Sequence, residues 1–310
     1  MDQTRTTPGQ TGQVAQQPIQ IDMRLLAKSL RRPRSAFSFF MNGVVGLMTI
    51  IALVPLFSVI FMLLLRGGAR LSLSVFTELP PSAFELGGGF GNAIAGTLVI
   101  VGIAALISVP FGIISGVFLA EVAPGSRLAH AVRMCAKLLT GFPSILAGVF
   151  AYGAVVLLTG GFSAVAGGIA LSILMLPTVT LTAEEAIRMV PSKIREAAIG
   201  MGATRVQTVW MVLLPTAFPG VLTGIMLAVA RAAGETAPLL FTALFSNYWL
   251  GSGGLDLMQP TASLAVLIYN FSAMPFENQV ELAWAAALVL VLMVLTVNLI
   301  GQSLSRTRVD

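Results

Sequence analysis

Charge is the scarcest feature of this 310-residue sequence. Only 10% of its residues are charged, whereas 56% are hydrophobic. Soluble domains carry about 25% charged residues. The composition therefore excludes an ordinary soluble protein and predicts a membrane protein.

Cysteine and histidine are almost absent, with one residue of each. The single Cys135 excludes an internal disulfide, and its apolar neighbours favour a packing role. The single His130 has no acidic cluster around it, so we expect a solvated loop residue and neither a metal site nor His-based nucleophilic catalysis. None of Lys28, Lys137 and Lys193 lies in a G-x-x-x-x-G-K-[ST] pattern. We therefore expect no ATP site and no bound cofactor in this chain.

The basic residues do not form an aromatic-studded patch, so the net charge of +5 does not indicate nucleic-acid binding. They follow the membrane topology instead. Uncharged runs of about 20 residues or more predict six spans: about Phe39–Leu65, about Asn92–Ala120, two spans between Lys137 and Glu184 that break at "LTGGFS", about Thr216–Phe245, and about Leu282–Leu304.

Fifteen Lys and Arg residues lie on one side of these spans and only Arg66 and Arg70 on the other. Basic residues concentrate on the cytoplasmic side, so both termini are expected there. Residues 1–34 are predicted to be a disordered cytoplasmic tail, 35–65 the first span, 66–91 an external loop, 92–304 the core of five spans, and 305–310 a cytoplasmic end. The first apolar run is too long for a signal-peptide core and is expected to remain as an anchor.

The loop at 184–215 predicts two short helices. Ile194, Ala197, Ala198 and Met201 recur at the spacing of one helical face, Pro191 suits a first turn, and Gly202 suits the helix end. A second helix is expected from about Thr204 to Leu214. An apolar stripe with no visible core to cover favours a partner groove. The alternative is a helix lying on the lipid surface.

The pattern Glu196-Ala197-Ala198, Gly202 and then Val212-Leu213-Leu214-Pro215 resembles the EAA loop of type I ABC importer permeases, with Val212 where that family usually has Ile. The resemblance covers roughly residues 40–303. It implies an all-α polytopic fold with six transmembrane helices and a coupling helix, containing Glu196, Ala197, Ala198 and Gly202, that sits in a cleft of an ATP-hydrolysing subunit.

Four further segments are similar to phosphate permeases of the PstA type: "GNAIAGTL" at 91–98, "GFPSILAGVF" at 141–150, "LPTAFPGVLTG" at 214–224 and "ARAAGETAPLLFTALF" at 230–245. This resemblance implies ATP-driven import of inorganic phosphate across a bacterial plasma membrane. The implied partners are a PstC-type second permease, a PstB-type ATPase, a PstS-type binding protein and membrane lipid. The alternative is a permease of the same class that transports sulfate or molybdate. Two further alternatives come from different functional classes: a membrane-embedded phosphatase and an ion-coupled carrier.

Arg231 and Glu235 place one charge of each sign inside the predicted fifth span. Their i, i+4 spacing puts them on one helical face, where they can neutralise each other. One interpretation is an ion pair that packs helices. The other is that Arg231 lines the translocation path and binds a phosphate oxyanion, which the guanidinium fork suits, while Glu235 holds it in place. The resemblance favours the second.

Aromatic residues of the outer loop, Tyr248, Trp249, Tyr269 and Phe271, are expected at the membrane interface, where they could also dock a binding protein.

Overall fold

The computed structural model describes residues 33–250 and 256–306, with side chains from 37 to 250 and from 256 to 303. Every regular element in this part of the chain is helical, which confirms the all-α prediction. With their π-helical turns included, the helices are α1 Pro33–Met62, continuing through Leu63–Gly67, α2 Ser74–Thr77, α3 Gly91–Val122, α4 Arg127–Thr140, α5 Ser144–Thr159, α6 Ala164–Arg188, α7 Ser192–Gly200, α8 Arg205–Ala233, α9 Ala237–Leu240, α10 Leu264–Ser272 and α11 Glu277–Arg306.

The chain divides into two compact units, residues 1–58 and 59–310. In the first unit, the described residues form one apolar helix, which belongs to the candidate span Phe37–Gly67. Nearly all of its described side chains are exposed, as suits a helix whose backbone bonds are satisfied internally. The predicted tail lies outside the described residues except for its last two positions, where α1 already begins.

The second unit is a bundle in which α3 and α6 pack most closely. Gly112 and Gly116 of α3 face Val179 and Ala183 of α6, and a Cβ on Gly116 would lie 2.7 Å from the Ala183 Cβ. Small residues four apart let two helix backbones approach in a membrane, where packing rather than water drives association. Three buried apolar clusters lie along this unit, around Leu264, Leu171 and Ile187 respectively.

Five described helices are long and apolar enough to cross a membrane, and the count reaches the predicted six if the pair α4 and α5 is one broken span. The break predicted at "LTGGFS" is confirmed, since α5 ends at Thr159, Gly160 has φ 77° and α6 begins at Ala164. Ser163 caps α6 by accepting a hydrogen bond from the Ala166 N–H at 3.1 Å.

The helix of the predicted fifth span stops at Ala233 and does not continue to Phe245, so the predicted end is wrong. The helix begins at Arg205, because the cytoplasmic helix predicted from about Thr204 continues into the span without a break. Gly234 and Pro238 follow, and neither supports a helix interior. The sixth helix begins at Glu277, five residues before the predicted start.

Three single-residue predictions also need correction. His130 lies exposed on α4 rather than in a loop, and Cys135 is exposed on the same helix rather than packed. Phe271 is only 4% exposed, because α10 is folded into the bundle. Local sequence does not reveal that an outer segment of nine helical residues is buried by its neighbours.

Candidate functional site

The predicted coupling helix forms as α7, Ser192–Gly200. It follows Pro191, which caps the helix rather than occupying its first turn. At the other end Gly202 has φ +88°. Its N–H donates to the Ile199 carbonyl at 2.9 Å and the Ala203 N–H donates to the Ala198 carbonyl at 3.1 Å. These two bonds form a Schellman motif, for which glycine at this position is the usual residue.

The apolar stripe of α7 divides between two environments. Ala198 is 2% exposed, and the half-buried Ile194 packs against the chain's own cluster around Ile187. Ala197, Ile199 and Met201 are exposed, with Met201 at 83%. The sequence predicted that the stripe covers no core of this chain. That prediction is wrong for Ile194 and Ala198, whereas Ala197 and Met201 remain exposed and available to a partner. Glu196 is also exposed.

An ion pair that sequence reasoning missed fastens α7 to the bundle. The Arg195 guanidinium donates to the Glu121 carboxylate at the end of α3. Glu121 is largely buried, with 12% of its side chain exposed. The pair joins residues 74 positions apart. No local spacing in the sequence could indicate it.

A second ionic cluster lies at the same end of the bundle. The Glu184 carboxylate is 6% exposed and binds Arg133 of α4 at 2.7 Å and Arg188 at 2.8 Å. The i, i+4 spacing of Glu184 and Arg188 was the available signal. Arg133 and Arg188 also donate to the Leu119 carbonyl, at 3.5 and 3.4 Å. Together these contacts tie α3, α4 and α6 beside the coupling helix.

Thr204 begins α8 with a complete capping box. Its hydroxyl accepts from the Gln207 N–H at 3.3 Å, and the Gln207 side chain accepts from the Thr204 N–H at 2.9 Å. A cavity of about 480 Å³ opens between α7, the start of α8 and the end of α3. Arg195, Ile199, Val206 and Trp210 are among its lining residues. The arrangement offers a partner an open, mainly apolar recess beside a rigidly held helix.

Arg231 and Glu235 do form an ion pair, with 3.5 Å between Nε and Oε1. The limits predicted for the fifth span put Arg231 near the midpoint of a continuous helix, and this position is wrong. Arg231 lies in the last turn of α8, and Glu235 lies beyond its end. The Arg231 side chain is 43% exposed and that of Glu235 16%.

The Arg231 guanidinium is only partly engaged. Within the described residues, its one hydrogen bond runs from Nε to Glu235, so its two terminal nitrogens have no protein acceptor there. A guanidinium with a free edge can bind an oxyanion through two parallel N–H bonds. This geometry permits the second interpretation of the pair.

Two segments quoted for the family resemblance meet beside this pair. Gly148, in "GFPSILAGVF", faces Pro238, in "GETAPLLF", and a Cβ at Gly148 would lie 2.6 Å from the Pro238 Cα. The short helix α9 is thereby held against α5. This close approach explains the need for glycine at position 148.

Comparison with known proteins relates the chain to transport permeases. The family described as "binding-protein-dependent transport system inner membrane component" matches residues 108–308. The phosphate transport system permease protein PstA of Haemophilus influenzae is 40% identical over 266 residues, 86% of this chain and 93% of that protein. The protein of the same name in Yersinia pestis is 40% identical over 244 residues, 79% of this chain and 81% of that protein.

Solved structures share the fold at lower identity. A chain of the inward-facing MetNI methionine ABC transporter has a TM-score of 0.55 and 21% identity, covering 70% of this chain and 93% of that one. The second is a chain of a bacterial alginate ABC transporter in complex with its alginate pentasaccharide-bound periplasmic protein. It has a TM-score of 0.62 and 16% identity, and the match covers 88% of this chain and 96% of that one. With these relatives and with its multi-pass helical bundle, the chain belongs to the family of binding-protein-dependent transport inner membrane components, among the ABC permeases of the PstA type.

Proposed function

We propose that this chain is the transmembrane permease subunit of an ATP-driven importer of inorganic phosphate. The observation that carries the proposal is the 40% identity to a phosphate transport permease over 86% of the chain. The segments that resemble phosphate permeases begin at residue 91 and reach residue 245, and they include the region of Arg231. The identity is therefore spread over most of the chain and is not confined to the EAA loop, which by itself does not choose a substrate.

ATP hydrolysis is assigned to a separate ABC ATPase of the PstB type. This chain is proposed to bind no cofactor. In support, no lysine of the sequence lies in a phosphate-cradling P-loop. The exposed part of α7, with Glu196 and Ala197, and the exposed Met201 that follows it are the proposed contact with that ATPase. The fixed position of α7, through Arg195 and Glu121, would let movement of the ATPase reach the bundle as a rigid displacement.

The remaining partners follow from the same proposal. A PstC-type permease completes the translocation path, and a PstS-type binding protein delivers phosphate from outside. Both termini are placed in the cytoplasm, because fifteen basic residues flank that side and two the other.

Arg231 is proposed to bind the phosphate oxyanion during passage, with Glu235 as its resting counter-ion. The long single contact of 3.5 Å and the 43% exposure of Arg231 favour a pair that exchanges partners over one that locks helices together. A partly exposed pair contributes only about 0–1 kcal/mol to stability. Its retention in an apolar protein is better explained by transport.

Uptake of radiolabelled phosphate tests the proposal. The chain, with its companion subunits, is expressed in a bacterial strain that lacks its own PstA-type permease. We expect ATP-dependent phosphate uptake that a tenfold excess of sulfate or molybdate does not reduce. If the complex takes up sulfate or molybdate and not phosphate, then phosphate is not the substrate. Equal uptake without the ATPase subunit would exclude the ABC mechanism.

A further inference from the structure

The helix α4 presents three different faces. Ala129 and Ala136 are buried, and Arg133 on the same side binds Glu184 of α6. This face fixes α4 to the bundle at the end that carries α7. The other two faces are exposed and need a separate explanation.

One exposed face is apolar. Leu128 is 61% exposed and Leu138 65%, and Cys135 is exposed between them. At about 100° per residue the three fall within about 80° of each other. Leucines exposed to this extent on one stripe of a helix indicate an apolar environment outside the chain.

The neighbouring face is mainly basic. Arg127, His130 and Lys137 are all exposed, with the exposed Met134 between Arg127 and His130, and the sequence of α4 contains no acidic residue. Among the described residues neither Arg127 nor Lys137 makes a salt bridge, in contrast to Arg133. The two unpaired cations therefore face whatever lies outside the helix.

The orientation of α4 follows from its junction with α5. The two helices bend by 106° between Thr140 and Ser144. If α5 crosses the bilayer near its normal, α4 lies close to the membrane plane. The 16 residues of α5, Ser144–Thr159, span only about 24 Å at 1.5 Å per residue, compared with about 30 Å of hydrocarbon. A span this short draws the adjoining helix into the boundary between headgroups and acyl chains.

We propose that α4 is an interfacial lipid-binding helix, in which Leu128, Cys135 and Leu138 enter the acyl boundary and Arg127, His130 and Lys137 bind the phosphate groups of anionic phospholipids. An apolar stripe beside a basic stripe, parallel to the membrane, is the pattern of such helices. Charge complementarity selects anionic lipid over neutral lipid as the occupant. The inference concerns a surface outside the translocation path and does not depend on the transported substrate.

The single cysteine of the chain provides the probe. The other subunits are first made cysteine-free by substitution. Cys135 is then labelled with a small environment-sensitive fluorophore in the assembled transporter, and the complex is reconstituted into phosphatidylcholine vesicles. Brominated phosphatidylglycerol or brominated phosphatidylcholine is then added, and quenching gives the relative affinity of the site for the two lipids. Each basic residue near an anionic surface is worth roughly fivefold in binding. We expect the label to be quenched by lipid and the ratio to favour phosphatidylglycerol by tenfold or more.

The double variant Arg127→Gln, Lys137→Gln should bring the ratio close to one, whereas the matched control Arg127→Lys, Lys137→Arg should keep it. If the neutral variant does not assemble, salt provides the second test, because 1 M salt shortens the screening length to about 3 Å and should abolish the preference in the unmodified protein. A ratio near one in the unmodified protein overturns the proposal, as does a ratio that salt and neutralisation leave unchanged. A label quenched by no lipid would mean that another protein subunit covers this face, and would overturn it as well.

Discussion

Arg231 shows at the scale of one residue how a charge can be retained in an apolar protein without strong bonds to it. Its only hydrogen bond within the described residues is 3.5 Å long, and 43% of its side chain is exposed. We predict that Arg231→Gln lowers phosphate uptake at least tenfold at normal assembly of the complex. The double variant Arg231→Gln, Glu235→Gln should not recover it, because the oxyanion ligand is still missing.

Arg231→Lys is the graded control, since it keeps the charge and loses the two-pronged geometry. Uptake is measured with labelled phosphate and normalised to assembled complex. A pair that only packs helices would behave differently. Single variants would then reduce the amount of complex, and the double neutral variant would restore both assembly and uptake.

Gly202 carries a second prediction at this scale. With φ +88° and no atom within 4 Å of an added Cβ, the constraint there is the backbone conformation and not space. Gly202→Ala should cost about 1–2 kcal/mol locally, because a Cβ is disfavoured in the left-handed region. We expect weaker co-purification of the ATPase with unchanged insertion of the permease.

Two variants separate strain from bulk in this experiment. Gly200→Ala adds the same methyl group at a helical position that also has open space around it, and should be neutral. Gly202→Asn should retain most of the binding, since Asn tolerates the left-handed region. Equal loss in all three variants would contradict the role assigned to the backbone at Gly202.

At the scale of elements, one ionic contact holds the proposed coupling helix α7 and a second joins two helices beside it. Arg195 joins α7 to Glu121 at the end of α3, and Glu184 joins α6 to α4. Largely buried carboxylates are costly without a partner. The position of α7 therefore depends on the Arg195–Glu121 pair as well as on the packing of Ile194 and Ala198.

We predict that Glu121→Gln uncouples transport while the permease still inserts. Without the carboxylate, α7 keeps its helix but loses its ionic link to α3. The ratio of phosphate transported to ATP hydrolysed should fall severalfold. Glu185→Gln, which neutralises an exposed carboxylate on α6, is the matched control and should leave the ratio unchanged. Exchange of the pair, Glu121→Arg with Arg195→Glu, should restore part of the coupling, and an exchange no better than Glu121→Gln would argue against the link.

At the scale of the whole molecule, the topology makes a prediction independent of transport. In a Cys135→Ser chain, a cysteine at Ser82 should react with an impermeant thiol reagent added to intact cells. One at Ser192 should react only after the membrane is permeabilised. Both positions are exposed, so accessibility within the fold does not distinguish them. Labelling of Ser192 in intact cells would reverse the proposed orientation.

The sequence alone was sufficient for the class of fold and for most spans. In lipid, the backbone N–H and C=O groups of a long uncharged run must form their hydrogen bonds within the segment, and a helix does this locally. The paired glycines ended α5 where the sequence predicted a break. The helix α7 and its end at Gly202 were also predictable, because caps and periodicity are local properties. The pairing of Arg231 with Glu235 followed from their spacing of four.

Tertiary structure decided what local patterns do not contain. It ended α8 at Ala233 and placed the ion pair at the end of that helix. It buried Phe271, exposed Cys135 and brought Glu121 to Arg195 across 74 positions. The physical reason is that burial and ion pairing depend on which helices are neighbours, and neighbours are chosen by packing over the whole bundle, whereas the tendency to form a helix is set by the residues of the helix itself.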